Sequence, residues 1–171
     1  LYVDWVQAGP TPFPYSRYVY LLPDVIYVKV GENYTFDIMY DDGGGQTTKV
    51  RGISATLDYC EACMAYVSAS QGTFFGSFDY TYFDAYLDAS GDLVMDNAIL
   101  GSTSGADGWG QVCYATFNAL AEGCCDLTLS VLVRDLNNQP LAATVVGGKW
   151  VADGTGPAQP VLTSPTHTPG V

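Results

Sequence analysis

Hydrophobic and polar residues alternate along most of the chain between positions 17 and 152. Residues 34–40 show the pattern clearly, since Tyr, Phe, Ile and Tyr alternate there with Thr, Asp and Met. A period of two residues is typical of a β-strand with one buried face, and no window has the 3.6-residue period of a long amphipathic helix. Turn residues such as those at 23–24 and 31–32 separate the alternating segments. The pattern therefore predicts an all-β chain, and we expect a jelly-roll β-sandwich of about nine strands.

The two ends of the chain differ from its middle. Residues 1–6 alternate like a strand and precede a Pro-rich spacer, whereas the last residues are rich in Pro, Gly, Thr and Ser. The predicted strands of the middle part include 73–80 and 141–146. The predicted parts of the chain are an extended N-terminal segment at 1–16, a β-sandwich at 17–153 and a Pro/Thr/Gly-rich tail at 154–171.

Composition and charge narrow the choice of partner. The chain has 171 residues, of which 48% are hydrophobic and 14% charged, so it is long enough for one domain with a substantial core. The net charge is −12, with only six Lys and Arg residues, which argues against binding to nucleic acid or to an anionic membrane surface. We expect no membrane span, because the sequence lacks a run of about 18 apolar residues.

Five cysteines suggest a secreted protein in which disulfides persist. Cys60 and Cys63 form one group at predicted strand ends, and Cys124 and Cys125 form another, so these four are the disulfide candidates. Their pairing stays open, and a zinc site is an alternative. A redox Cys-x-x-Cys typically lies between a strand and a helix, and no helix is predicted here. Cys113 lies in mid-strand, and we expect it to be a buried free thiol.

Three segments resemble the cohesin family. These are LPDVIYVKVGENYTFDIMY, GISATLDYCEACMAYVSASQG and VCYATFNALAEGCCDLTLSVLVRDLNNQPLAATVVGGKWV, and the resemblance extends over residues 18–152. The chain departs from the family pattern at 60–63, where Cys-Glu-Ala-Cys stands in place of Asp-Pro-Ser-x. The resemblance implies a jelly-roll β-sandwich, an extracellular or cell-surface setting and protein–protein binding without catalysis. It does not imply a particular partner.

Two loops are candidates for calcium binding. The loop that begins at Asp135 contains Asn137 and Asn138, and a second loop contains Asp41 and Asp42 beside three glycines. Carboxylate and amide oxygens are ligands that Ca²⁺ prefers. The alternative is that both loops are turns, in which Asx side chains bond to their own backbone. No other cofactor is expected.

Other side chains bear on catalysis, sugar binding or modification. The single histidine, His167, lies in the C-terminal tail, which is a poor place for a catalytic base, so we expect no enzyme. Trp109 lies in a Gly-rich loop and is the candidate for stacking against a sugar. Asn33 begins an Asn-Tyr-Thr sequon and is the glycosylation candidate.

Three functions are compatible with these features. The first is a subunit of a cell-surface filament or sheath, in which residues 1–6 add a strand to a neighbouring copy and Leu1, Val3 and Trp5 make the contact. The second is a cohesin-like receptor module that docks a different surface protein. The third is a carbohydrate-binding module that uses Trp109.

Overall fold

The computed structural model describes residues 16–44, 46–101 and 104–154. The regular structure of these residues is β-strand, arranged in two sheets. The predicted contact residues Leu1, Val3 and Trp5, and the tail residues after 154, lie outside the described residues.

The strands follow one another closely along the chain. They are β1 (Tyr18–Leu22), β2 (Val25–Lys29), β3 (Asn33–Asp41), β4 (Val50–Asp58), β5 (Met64–Gln71), β6 (Thr81–Leu87), β7 (Leu93–Ile99), β8 (Trp109–Ala119), β9 (Gly123–Asp135), β10 (Pro140–Leu141), β11 (Thr144–Val146) and β12 (Gly148–Asp153). The smaller sheet has the order β11-β1-β3-β8-β5, and the larger has the order β2-β12-β9-β4-β7-β6, with β10 paired to β9. The predicted all-β sandwich is confirmed.

The number of strands exceeds nine partly because two segments of the chain, 18–29 and 140–146, each divide between the two sheets. Pro23 separates β1, which pairs with β3, from β2, which pairs in parallel with β12 in the other sheet. Proline has no N–H to donate to a ladder, so it suits this crossing point. The predicted strand 141–146 is likewise two short strands, since β10 pairs with β9 and β11 pairs with β1.

One predicted strand is wrong. Residues 73–80 form consecutive turns, in which the N–H of Gly76 donates to the carbonyl of Thr73 and the N–H of Phe78 donates to that of Phe75. The neighbouring rings of Phe74 and Phe75 are both buried. The segment covers one end of the core.

The core lies between the two sheets and is rich in aromatic residues. Trp150, Tyr40 and Phe36 are fully buried, and the rings of Phe36 and Phe117 stack with centroids 5.6 Å apart. Cys113 is also fully buried, in agreement with its predicted place in mid-strand.

A buried amide joins the two sheets. Asn97 on β7 donates from Nδ2 to the carbonyl of Val112 on β8 at 2.7 Å, and its Oδ1 accepts from Gln71 Nε2 on β5 at 2.9 Å. Both partners belong to the opposite sheet, so this amide connects the larger sheet to the smaller one through the core. Its hydrogen bonds satisfy polar groups that are costly to bury alone.

Candidate functional site

The larger sheet presents a broad outer face formed by β9, β4, β7 and β6. Residues of β4 pair on one side with β7 and on the other with β9, so that the outward side chains lie in rows across four strands. One row runs Tyr82, Ala98, Gly52, Arg134, the next Asp84, Asp96, Ser54, Leu132, and the third Tyr86, Val94, Thr56, Ser130. We call these twelve residues the β4 face.

The centre of the β4 face carries small side chains. Gly52, Ser54 and Thr56 succeed one another on β4, with Ala98 beside them on β7. Since these side chains are short, another surface can approach the backbone of these two strands closely. Such a centre allows close approach of a partner, which is needed for good shape complementarity.

Larger side chains border this centre. Tyr82 and Tyr86 on β6 are 45% and 46% exposed, and Leu132 on β9 is 39% exposed. Tyrosine is enriched at protein interfaces because it combines apolar area with a hydroxyl group. Between the two tyrosines, Asp84 lies opposite Asp96 and accepts a hydrogen bond from the Tyr82 hydroxyl at 3.2 Å. The face therefore joins exposed aromatic rings to a paired negative charge.

The sequence patterns did not identify the β4 face as a surface. A signal was present in strand β4, whose outward positions hold Gly, Ser and Thr in succession. The sequence alone does not show that β6, β7 and β9 lie beside this strand.

The candidate calcium ligands Asp41 and Asp42 bond to backbone groups. Asp41 Oδ1 accepts from the N–H of Gly43 at 2.9 Å. Asp42 is buried, and its two oxygens accept from the N–H groups of Gly44 at 2.8 Å and Gly108 at 2.7 Å. The bonds from Gly43 and Gly44 are those expected of Asx turns, and the bond from Gly108 ties this loop to the start of β8.

The loop that follows β9 is organised in the same way. Asp135 Oδ1 accepts from the N–H groups of Asn137 and Gln139, both at 2.8 Å, and Asn138 has a φ of 61°. In the described part of the chain, no group of three or more His, Cys, Asp or Glu side chains is placed to hold a metal ion. Calcium binding at either loop stays a prediction, and both loops have the geometry of the alternative, a turn.

Three of the four disulfide candidates meet beside the turn that follows β4, and the fourth, Cys124, is exposed. The sulfur atoms of Cys60 and Cys63 lie 3.0 Å apart, and Cys125 is hydrogen-bonded to Cys60. All five cysteines are free thiols in the structure, and the predicted bridges stay a prediction. Cys113 lies apart from these residues, and burial raises the pKa of its thiol to about 12.

Trp109 and Asn33 are both on the surface of the smaller sheet. Trp109 begins β8 opposite Asp41 and is 74% exposed, so its ring is accessible to a ligand. Asn33 begins β3, is exposed, and accepts from Asn118 Nδ2 at 2.7 Å. Sugar stacking and glycosylation at these two positions stay predictions.

Known proteins resemble this chain in fold but not detectably in sequence. No protein-family model matches the sequence, and no curated protein is detectably similar to it in sequence. Solved structures do match. A non-cellulosomal cohesin from Archaeoglobus fulgidus superimposes with a TM-score of 0.64 at 15% identity, over 81% of this chain and 91% of the other.

Two further solved structures are equally similar. The seventh type I cohesin of ScaB from Pseudobacteroides cellulosolvens gives a TM-score of 0.66 at 15% identity, over 85% of this chain and 97% of its own. A type I cohesin–dockerin complex from Clostridium thermocellum gives 0.65 at 12% identity, over 86% and 98%. The described residues contain no helix suited to spanning a lipid bilayer. The two-sheet architecture and these superpositions together show that the chain has a cohesin-like jelly-roll fold.

Proposed function

We propose that this chain is a non-catalytic, extracellular docking module that binds a partner protein on the β4 face. The observation that carries the proposal is the combination of small central residues with exposed tyrosines on one four-stranded surface. The Clostridium thermocellum structure, which has the same fold, is a complex of a cohesin with a dockerin. That complex supports protein binding as the activity of the present chain, without specifying its partner.

The chemistry of the β4 face suits a protein partner. A stable interface buries about 800 Å² on each side and concentrates its binding energy in a few aromatic or Arg residues. Tyr82 and Tyr86 are the candidate anchors here, and Leu132 offers apolar area at the opposite border. The pair Asp84 and Asp96 favours a partner that brings a cation, because two facing carboxylates repel each other until a positive group lies between them.

The carboxylates of the acidic loops have structural partners. The carboxylates of Asp41, Asp42 and Asp135 all accept backbone hydrogen bonds, which assigns them to turn structure. Paired catalytic carboxylates would need to face an accessible cleft.

The experiment compares two threonine positions on opposite sheets. Thr56 lies in the middle of the β4 face, whereas Thr35 lies on the outer side of β3 in the smaller sheet. Proteins secreted by the source organism are captured on the immobilised chain, and the strongest candidate is purified and titrated by calorimetry. We expect Thr56→Arg to weaken binding roughly tenfold or more, because the long side chain prevents close approach.

The matched variant Thr35→Arg adds the same charge and should leave the affinity unchanged. Equal weakening by both variants would mean that charge, and not the β4 face, determines binding. A purified partner that binds both variants as tightly as the unmodified chain would show that it docks elsewhere.

A second candidate function, self-assembly into a filament or sheath, is favoured by the edge strand β2. Among the described strands β2 pairs only with β12, so one of its sides is open to an added strand. Beside it lies a mostly apolar groove of about 520 Å³, lined in part by Tyr27, Val28, Tyr34 and Val151. An open edge next to an apolar groove is the arrangement that strand addition uses.

We propose residues 1–6 of a neighbouring copy as the added strand. Burial of Leu1, Val3 and Trp5 in such a groove would contribute on the order of 4–8 kcal/mol before the loss of chain entropy. Repeated head to tail, this contact does not close on itself and extends into a filament.

Deletion of residues 1–10 tests self-assembly. We expect the shortened chain to sediment as a monomer under conditions in which the complete chain forms polymers. Deletion of 155–171 is the matched control and should leave the polymers intact. Polymers that persist without residues 1–10 would exclude strand addition by this segment, while leaving docking on the β4 face unaffected.

A further inference from the structure

The turn that follows β4 holds two thiols at close range. Cys60 and Cys63 are half-buried, and their sulfur atoms are 3.0 Å apart. The carbonyl of Cys60 accepts from the N–H groups of Cys63 and Met64, each at 3.0 Å, and the second of these is the i to i+4 bond of a helical turn. The carbonyl of Cys63 accepts from the N–H of Leu120 at 2.8 Å, which ties the turn to the end of β8.

The close approach of the two sulfur atoms occurs in a setting that the Cys-x-x-Cys pattern does not lead one to expect. A redox Cys-x-x-Cys usually stands at the start of a helix, which brings its two sulfur atoms together. Here a single hydrogen-bonded turn achieves the same approach without a helix. The two sulfur atoms need to move closer by only about 1 Å to reach the bonding distance of a disulfide.

We propose that Cys60 and Cys63 form a dithiol site that exchanges with small disulfides, with Cys60 as the attacking thiol and Cys63 as the resolving thiol. The site is independent of the proposed docking function. Its ligand class is a low-molecular-weight disulfide, written RSSR.

The exchange has two balanced steps. The Cys60 thiolate attacks one sulfur of RSSR, which forms a Cys60–S–SR mixed disulfide and expels RS⁻. Cys63 then loses its proton and attacks the Cys60 sulfur, which forms the Cys60–Cys63 bond and expels the second RS⁻. The protein loses two protons and two electrons, and RSSR is reduced to two molecules of RSH.

The surroundings distinguish the two thiols. The hydrogen bond to Cys63 holds the pKa of Cys60 below its usual range, whereas the same bond raises the pKa of Cys63. The thiolate is the nucleophilic form, so Cys60 attacks first. Cys125 is also hydrogen-bonded to Cys60 but belongs to β9, so Cys63, fixed in the same turn, is the resolving partner.

Nearby charge selects among disulfides. Glu61 lies between the two cysteines, Asp58 ends β4 just before them, and Asp126 follows Cys125. The chain as a whole carries a net charge of −12. An anionic disulfide is repelled by this field and a cationic one attracted, so cystamine should react faster than oxidised glutathione, with a difference that shrinks in high salt.

The test follows the reduced, complete chain with cystamine or oxidised glutathione. Samples are quenched with acid, and the bonds are assigned by peptide mapping and mass spectrometry. We expect a Cys60–Cys63 bond in the unmodified chain, formed faster with cystamine. Cys63→Ser should retain cysteamine on Cys60, and Cys125→Ser and Cys113→Ser should close the bond as the unmodified chain does.

Several results would overturn the proposal. These are a Cys60–Cys125 bond in the unmodified chain, a mixed disulfide that accumulates on Cys63 first, and thiols that react only after unfolding in urea. The unmodified chain alone distinguishes these outcomes, so the test stands even if a serine variant fails to fold.

Discussion

Removal of the Asn97 side chain tests whether the two sheets depend on a buried polar link. Asn97 is 2% exposed and makes two hydrogen bonds to the opposite sheet, to Val112 and to Gln71. In Asn97→Ala, the carbonyl of Val112 keeps its bond from the N–H of Gly72 at 2.8 Å. Gln71 is half-buried, and its Nε2 group loses its acceptor, whereas its Oε1 still accepts from Thr81 Oγ1 at 3.2 Å.

The expected loss of stability follows from these contacts. One lost hydrogen bond costs about 1 kcal/mol, and an amide left unpaired in a partly buried place costs about 1–2 kcal/mol more. We therefore expect Asn97→Ala to lower the free energy of unfolding by about 2–3 kcal/mol. For a chain of this length that corresponds to a fall in Tm of roughly 5–10 °C.

Urea unfolding followed by circular dichroism measures the effect. Asn118→Ala removes a surface amide that donates to Gly31 and Asn33, and it should cost less than about 0.5 kcal/mol. A double-mutant cycle between Asn97 and Gln71 should give a coupling energy of about 1 kcal/mol. If Asn97→Ala costs no more than Asn118→Ala, or if the cycle gives no coupling, the buried amide does not hold the sheets together.

Four more outcomes are expected. Burial raises the pKa of Cys113 to about 12, whereas the thiol of the unfolded chain ionises from a pH of about 8.5. The free energy of unfolding should therefore fall as the pH rises above about 8.5. Cys113→Ser should reduce this pH dependence, as measured by urea titrations. Trp150 is fully buried, so Trp150→Ala should cost about 3–5 kcal/mol in thermal unfolding. Trp109→Ala should leave stability within about 0.5 kcal/mol and abolish any retention on a glycan array; an unmodified chain that binds no glycan would refute the carbohydrate alternative. Asp135→Ala should lower the free energy of unfolding by about 1 kcal/mol, equally in calcium and in chelator, because the carboxylate bonds to the loop backbone. A loss of stability seen only in calcium would indicate a cation site instead.

Local pattern determined much of the architecture. Alternation of apolar and polar residues has a direct physical cause, since successive side chains of a strand point to opposite faces. The alternating segment 34–40 corresponds to β3 to within one residue at each end. Residues 73–80 were misread because their apolar residues are buried by turns, which have no such period. The cohesin-like order of strands and turns could also be recognised in the sequence, because it depends on the succession of local segments.

The tertiary structure alone decided which residues meet. The β4 face exists because β4 lies between β7 and β9, and strand order depends on long-range pairing that no local pattern records. Asn97 shares the inward side of its strand with the apolar Met95 and Ile99, and its stabilising role comes from contacts with β5 and β8, which are distant in sequence from β7. The two cysteine groups were visible as separate motifs, but their sulfur atoms come together only because β9 begins beside the turn that ends β4. The sequence by itself determines the alternation within strands and the turns between them. A surface or cluster built from several strands requires residues far apart in the chain to come together, and only the whole fold determines which of them do.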